Sequence, residues 1–207
     1  MALAFELTKI PGSEYLPRPE FMDKLTENKN ENNIWDILGS YNANIGTITL
    51  YEDTIKDFAV ALSSPEAKVH PILRELVRLH EHAHAYMHTA SLFEGIYLRP
   101  LTKEEWFKKL SKEVNESLTE YIALSVLESC SVPTAWITLF HEVDSRAPDY
   151  YKRWKQARRL RRERSFIVPT LKFARTHIWK DWDEFYEALA EERDKIQEEA
   201  VLLRLNG

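Results

Sequence analysis

The pattern formed by His80, Glu81 and His84 is the part of this sequence best suited to chemistry. It has the form H-E-x-x-H, and residues four apart on a helix share one face, about 6 Å apart along the axis. Two imidazoles at that spacing can bind one zinc ion. Glu81 would stand beside the same ion, where its carboxylate can accept a proton from a water molecule that the ion activates. The pattern predicts a metal-dependent hydrolytic site with Glu81 as the catalytic base.

A catalytic zinc site needs a third protein ligand and keeps one position open. The chain has a single cysteine, Cys130, so the third ligand is expected to be a histidine or a carboxylate. Three glutamates at helical spacing are candidates, namely Glu113, Glu116 and Glu120. We expect Zn2+ as the cofactor, although histidine and carboxylate ligands also accept iron, manganese, nickel or copper.

Residues 115–120 have the form N-E-x-x-x-E and lie downstream of H-E-x-x-H. In these two motifs the sequence resembles the gluzincin class of zinc metallopeptidases, whose third ligand is a glutamate on a later helix. The resemblance implies a hydrolase that cleaves peptide bonds in a peptide or protein substrate. It implies that Glu120 orients a ligating histidine. The zinc ligands that it implies are His80, His84 and Glu116.

Two further parts of a peptidase site can be sought in the sequence. Residues 45–51 alternate β-branched and apolar residues with threonine, which predicts a strand, and Gly46 suggests a bulge or a close backbone approach. By the resemblance, this strand is the sheet edge to which an extended substrate adds. A donor for the oxyanion of the tetrahedral intermediate could be Tyr86, Tyr121 or His141, and no spacing favours one of them.

The elements that must position these residues are mostly helices. Only five glycines in 207 residues, with many Leu, Ala, Glu, Lys and Arg, predict a mainly α (α+β) fold: a zincin-like helical domain with a small β-sheet. We expect one domain over residues 1–207, with residues 133–207 as a C-terminal helical extension. Pro71 is predicted to begin the helix that carries H-E-x-x-H, and Ser111 to cap the helix that carries Glu116. Further helices are predicted at residues 102–110, 133–143, 148–164 and 181–205.

A basic segment near the C-terminus suggests a different function. Residues 150–164 mix tyrosine and tryptophan with eight basic side chains, as surfaces that bind nucleic acid do. Residues 181–199 hold nine acids and two basic residues, and neutralisation of one segment by the other is the favoured expectation. The alternative to a peptidase is a catalytically inactive zincin-like regulator that binds nucleic acid or an acidic partner through helix 150–164. The C-terminal helices could also form a homodimer contact.

The remaining sequence features exclude several classes of protein. The chain has no apolar run near 18 residues, no export signal at its start and one cysteine, which together predict a cytoplasmic protein without membrane contact. A di-iron carboxylate bundle would need a second E-x-x-H pair, and the sequence contains only the one that ends at His84.

Overall fold

The computed structural model describes residues 38–62, 66–89, 103–160 and 167–192. Helices dominate these residues and a two-stranded antiparallel sheet accompanies them, which confirms the predicted mainly α fold with a small sheet. No helix in the described ranges is long and apolar enough to cross a lipid bilayer. The elements are β1 (Gly39–Asn42), β2 (Thr47–Leu50), α1 (Glu52–Ala61), α2 (Glu66–Thr89), α3 (Lys103–Lys109), α4 (Lys112–Ser129), α5 (Thr134–Arg146), a 3-10 helix (Asp149–Arg153), α6 (Trp154–Leu160), α7 (Ile167–Ala174) and α8 (residues 182–192).

The two strands form a hairpin that the sequence predicted only in part. β2 is shorter than the predicted strand, because residues 43–46 form the turn from β1. Gly46 has a φ of +66°, a left-handed conformation that favours glycine, and a Cβ there would meet no atom within 4 Å. The suggestion of a bulge or close approach at Gly46 was therefore wrong, since this glycine serves the turn. The strand β1 was not predicted.

The helix that carries H-E-x-x-H begins earlier than expected. α2 starts at Glu66, so Pro71 lies inside the helix and not at its first position. A proline there cannot donate the intrahelical hydrogen bond of its turn. Val69, in the extra turn, is buried in a core that α1 and α4 also line. The packing of that turn outweighs the lost hydrogen bond. The preference of proline for the first position of a helix does not include this contribution from packing.

The second site helix, α4, begins where the sequence predicted. The Ser111 side chain accepts a hydrogen bond from the backbone N–H of Val114 at 3.3 Å, which caps the helix. The capping residue expected for α3, Thr102, lies outside the described residues. Both α2 and α4 contribute side chains to two hydrophobic cores. The two helices therefore pack together at the centre of the described structure.

The elements after residue 133 pack onto the same two cores. Phe140 and Trp154 enter the first core, and Trp182 and Phe185 enter the second. The helix predicted over residues 148–164 is instead the 3-10 helix followed by α6, and its residues beyond 160 lie outside the described ranges.

Candidate metal centre

Three buried side chains converge between α2 and α4. His80 and His84 lie on successive turns of α2, and Glu116 lies in the first half of α4. The Nε2 atoms of the two histidines are 3.2 Å apart. Glu116 Oε2 is 3.4 Å from His80 Nε2 and 3.2 Å from His84 Nε2. Each residue offers one ligand atom to a common point, so the group could hold a metal ion.

The separations of these three atoms fit a tetrahedral ion. Zinc lies about 2.0–2.1 Å from nitrogen and oxygen ligands, so two ligands of a tetrahedral site are about 3.3–3.4 Å apart. The three observed separations span 3.2–3.4 Å. Glu116 Oε2 is also buried without a hydrogen bond of good geometry, which is costly unless a positive charge compensates it. The donor set suits zinc and other transition metals, with one coordination position left over.

The same cluster also favours protonated histidines. Burial disfavours charge on His80, but contacts with the carboxylates of Glu116 and Glu120 outweigh it and raise the pKa of His80 well above its usual value. Burial likewise opposes charge on His84, and the carboxylate of Glu116 outweighs it and raises the pKa of His84. Burial alone would raise the pKa of Glu116, but the two histidines hold it far below its usual range. A metal ion and these protons would compete for one position.

A buried carboxylate contacts the far side of His80. Its Nδ1 atom is 3.0 Å from Glu120 Oε1, and Glu120 is fully buried. In the neutral ring, a hydrogen on Nδ1, the atom that faces Glu120, leaves Nε2 unprotonated and turned toward the other two ligand atoms. Glu120 therefore lies against a histidine of the first motif. Its pKa is raised, first by burial and also by the charge of Asp144.

The carboxylate of Asp144 was not among the predicted site residues. Asp144 lies on α5 with 1% of its surface exposed, close enough to influence Glu120. It accepts hydrogen bonds from Trp154 Nε1 at 3.2 Å and from Lys155 Nζ at 2.5 Å. Lys155 is 41% exposed, so the buried Asp144 pairs with a side chain that reaches the surface. Nothing in the local sequence around Asp144 distinguishes it from an exposed helical aspartate.

Neutral groups contact the far side of His84. Its Nδ1 atom is 3.0 Å from Thr119 Oγ1 and 3.3 Å from Asn115 Oδ1. Both residues lie on one face of α4, because they are four positions apart. The sequence analysis did not single out Thr119. Its spacing from Asn115, together with its position beside Glu120, is the signal that could have found it.

Glu81, the chain neighbour of His80, is buried, with 2% of its surface exposed. Its negative charge contributes to the raised pKa values of both His80 and His84. The carboxylate lies against Gly39 of β1: a Cβ at Gly39 would be 3.1 Å from Glu81 Oε1 and 2.8 Å from Val77 Cγ1. Any larger residue at position 39 would force the strand or the carboxylate to move. The glycine therefore lets β1 lie directly against Glu81.

Two other motif residues make contacts away from the cluster. Glu113 Oε1 pairs with Arg153 Nε at 2.8 Å. His82 is half-buried, with its Nδ1 atom 2.7 Å from the backbone oxygen of Arg78. Among the described residues, Glu116 is thus the member of the three candidate glutamates that meets both Nε2 atoms.

A tyrosine that the sequence analysis did not consider, Tyr41, lies on the strand next to Glu81. Tyr41 is two positions after Gly39, so the two residues share one face of β1. Its hydroxyl is 2.7 Å from Nδ1 of the buried His88. Its ring meets Phe107 edge-on, and Phe107 in turn meets His84 edge-on. These contacts form an aromatic wall beside the ligand atoms.

The three side chains considered as oxyanion donors differ in how far they are buried. Tyr121 is buried in the first core, and His141 is exposed on α5. Tyr86 is half-buried, and burial raises its pKa despite the charge of Arg175. On α2 it lies about 200° around the helix axis from His84.

The described residues of the basic segment form ion pairs with acids of several helices. Arg153 meets Asp183 of α8 at 2.6 Å, so the acidic segment does contact the basic one at this point. Lys155 and Arg158 pair instead with acids of α5 and α4, the latter at 2.7 Å from Glu128. Basic residues 161–164 and the acids beyond residue 192 lie outside the described ranges.

The fold and the site together define a mainly helical protein with a buried His-His-Glu centre that could hold a metal ion. A scan against protein-family models, a search of curated proteins and a search of solved structures each found no match to this chain.

Proposed function

We propose that this protein is a zinc-dependent metallopeptidase of gluzincin type, which hydrolyses peptide bonds in a peptide or protein substrate. The observation that carries the proposal is the convergence of three ligand atoms at 3.2–3.4 Å, together with a buried Glu81 whose charge acts on both histidines. The two motifs supply the ligand atoms from separate helices. Each histidine also has a partner at Nδ1, which favours an Nε2 atom without a hydrogen in the neutral ring.

The chemistry follows from the position of each side chain. A bound zinc ion would supply a Lewis acid that polarises the scissile carbonyl and lowers the pKa of a water molecule. His80, His84 and Glu116 would hold the ion and leave one position open. Glu81 would accept the proton of the attacking water at its carboxylate and then donate it to the leaving amine. Burial of this carboxylate keeps bulk water away and strengthens its electrostatic interactions.

The hairpin supports a peptide as the substrate. Extended peptides commonly bind by adding to the edge of a sheet. The sequence analysis assigned that edge to residues 45–51, but the strand whose glycine touches Glu81 is β1. A substrate strand that runs beside β1 would carry its scissile bond toward Glu81, with Tyr41 and Phe107 as neighbouring wall residues.

The metal is tested by mass spectrometry of protein purified without a histidine tag. We expect about one zinc per chain in the wild type and loss of the metal in His84→Ala. His82→Ala is the matched control, because His82 lies on the same helix but contacts the Arg78 carbonyl. It should retain the zinc. A wild type that binds no metal when zinc is supplied would contradict the proposal and direct attention to salt-dependent binding by the basic segment.

The peptidase activity is tested with Glu81→Gln on a peptide library. We expect turnover to fall about 10²–10⁴-fold while the zinc content stays at the wild-type level, because the variant loses the base and keeps the ligands. Glu75→Gln, on the same helix and paired with Arg74 and Arg78, is the control that should remain active. Undiminished activity of Glu81→Gln would exclude the role given to Glu81.

A further inference from the structure

Thr119 places a fully buried hydroxyl against one of the two histidines. Its Oγ1 atom is 3.0 Å from His84 Nδ1 and donates a hydrogen bond to the backbone carbonyl of Asn115 at 2.9 Å. A threonine hydroxyl has one hydrogen to donate. With that hydrogen directed at the carbonyl, Oγ1 accepts a hydrogen bond from the Nδ1–H of His84.

The acceptor role of this oxygen decides the tautomer of His84. If Oγ1 accepts, Nδ1 carries the hydrogen, and the lone pair of the neutral ring is on Nε2. Nε2 is the atom that lies 3.2 Å from both His80 Nε2 and Glu116 Oε2. Asn115 Oδ1, at 3.3 Å from Nδ1, is a second and longer acceptor. Both acceptors therefore favour the one tautomer that can bind a metal.

We propose that Thr119 is a positioning residue of the metal centre: its hydroxyl holds His84 with Nε2 unprotonated and aimed at the ion. The inference rests on the proposed metal site and adds a residue to it. The neutral hydroxyl of Thr119 contacts Nδ1 of His84, whereas the carboxylate of Glu120 contacts Nδ1 of His80. The two ligating histidines thus have partners of different charge, both supplied by α4.

A comparison within α4 separates this role from an ordinary helical hydroxyl. Serine and threonine inside helices often donate to the carbonyl four residues earlier. Ser125 does so to Tyr121 at 2.7 Å, and Thr119 does so to Asn115. Thr119 differs in that the same oxygen also meets a histidine of the cluster. Loss of the Ser125 hydroxyl should therefore affect the helix alone, and loss of the Thr119 hydroxyl should affect the metal.

The test compares Thr119→Ser with Thr119→Ala, which lack the same methyl group and differ only in the hydroxyl. The readout is the zinc Kd, measured by competition with a chelator of known affinity. We expect Thr119→Ser to bind zinc within a few-fold of the wild type and Thr119→Ala to bind it about 10–100-fold more weakly. Ser125→Ala is the matched control and should keep the wild-type Kd.

The outcomes separate this inference from the proposed function. Equal zinc Kd values for Thr119→Ser and Thr119→Ala in a wild-type background that binds zinc would overturn the role of Thr119 and leave the metal centre intact. A wild type that binds no zinc would overturn both. Circular dichroism checks that each variant is folded. If Thr119→Ala unfolds, Thr119→Val keeps the shape of the side chain without its hydroxyl, and its Kd is compared with that of the wild type.

Discussion

The buried face between α2 and α4 and the described part of the basic segment of residues 150–164 use charged side chains in opposite ways. At the buried face, ionisable groups touch several others and shift their pKa values strongly. In the basic segment, cations such as Arg158 meet individual carboxylates near the surface, where water screens the attraction. The comparison teaches that burial and convergence, more than the number of charges, mark the region suited to chemistry.

The two regions meet at Asp144. This carboxylate is buried close to Glu120, yet its partner Lys155 is 41% exposed. In this ion pair, Lys155 comes from the basic segment and Asp144 lies at the buried face. We therefore expect the loss of a charge to have its largest effect at the buried face, an intermediate effect at this ion pair and its smallest effect at the surface.

The largest effect is expected at the buried face. Glu120→Gln replaces the carboxylate that contacts His80 Nδ1 by an amide, which holds the histidine less strongly. We expect the zinc Kd to rise about 10–100-fold. Glu128→Gln is the control on the same helix, since Glu128 pairs with Arg158 away from the cluster. Similar Kd values for the two variants would show that burial does not distinguish these glutamates.

The metal-free protein should depend on pH through the same buried groups. His80 and His84 have raised pKa values in the folded state, so their contribution to stability is complete below about 6.5 and is lost as the pH rises through the folded values. The pKa of Glu116 is lowered, so its contribution is lost in the acid range, below about 4.5. We expect the free energy of unfolding, measured with urea after zinc removal, to fall from pH 6 to pH 9. A flat profile would show that the cluster carries no shared protons.

An intermediate effect is expected at the junction. Lys155→Met removes the amine that lies 2.5 Å from the buried Asp144 and leaves Trp154 as the remaining hydrogen-bond donor described there. A buried carboxylate that loses one of its partners should cost about 1–3 kcal/mol in the free energy of unfolding. Urea denaturation of zinc-free protein measures it. A second change, Asp144→Asn in the Lys155→Met background, should recover part of the loss because it removes the uncompensated charge.

The smallest effect is expected at the surface. Arg158→Met breaks the ion pair with Glu128, in which the arginine side chain is 40% exposed. Exposed pairs of this kind contribute less than about 1 kcal/mol. The same urea experiment provides the comparison with Lys155→Met. If Arg158→Met proves as destabilising as Lys155→Met, the surface pairs of the basic segment are more important to the fold than the comparison implies.

Several parts of the site could be predicted because they depend on local periodicity. Residues four apart on a helix share a face in any fold, so His80 and His84 could be placed together from sequence alone. The cap at Ser111 is equally local, since a serine side chain meets the backbone N–H three residues later. The dominance of helices followed from composition, and the structure agrees.

By itself, then, the sequence determined the dominance of helices, one cap and the spacing of the candidate ligands, all of which depend on composition or on neighbours within a few residues. Only the tertiary structure decided which of the three glutamates meets the histidines, because the rotation of α4 against α2 depends on packing between distant residues. The same holds for Thr119 behind His84, for Gly39 against Glu81 and for the turn before Pro71. Each of these depends on contacts that form only when separate elements pack, and local preferences do not encode them.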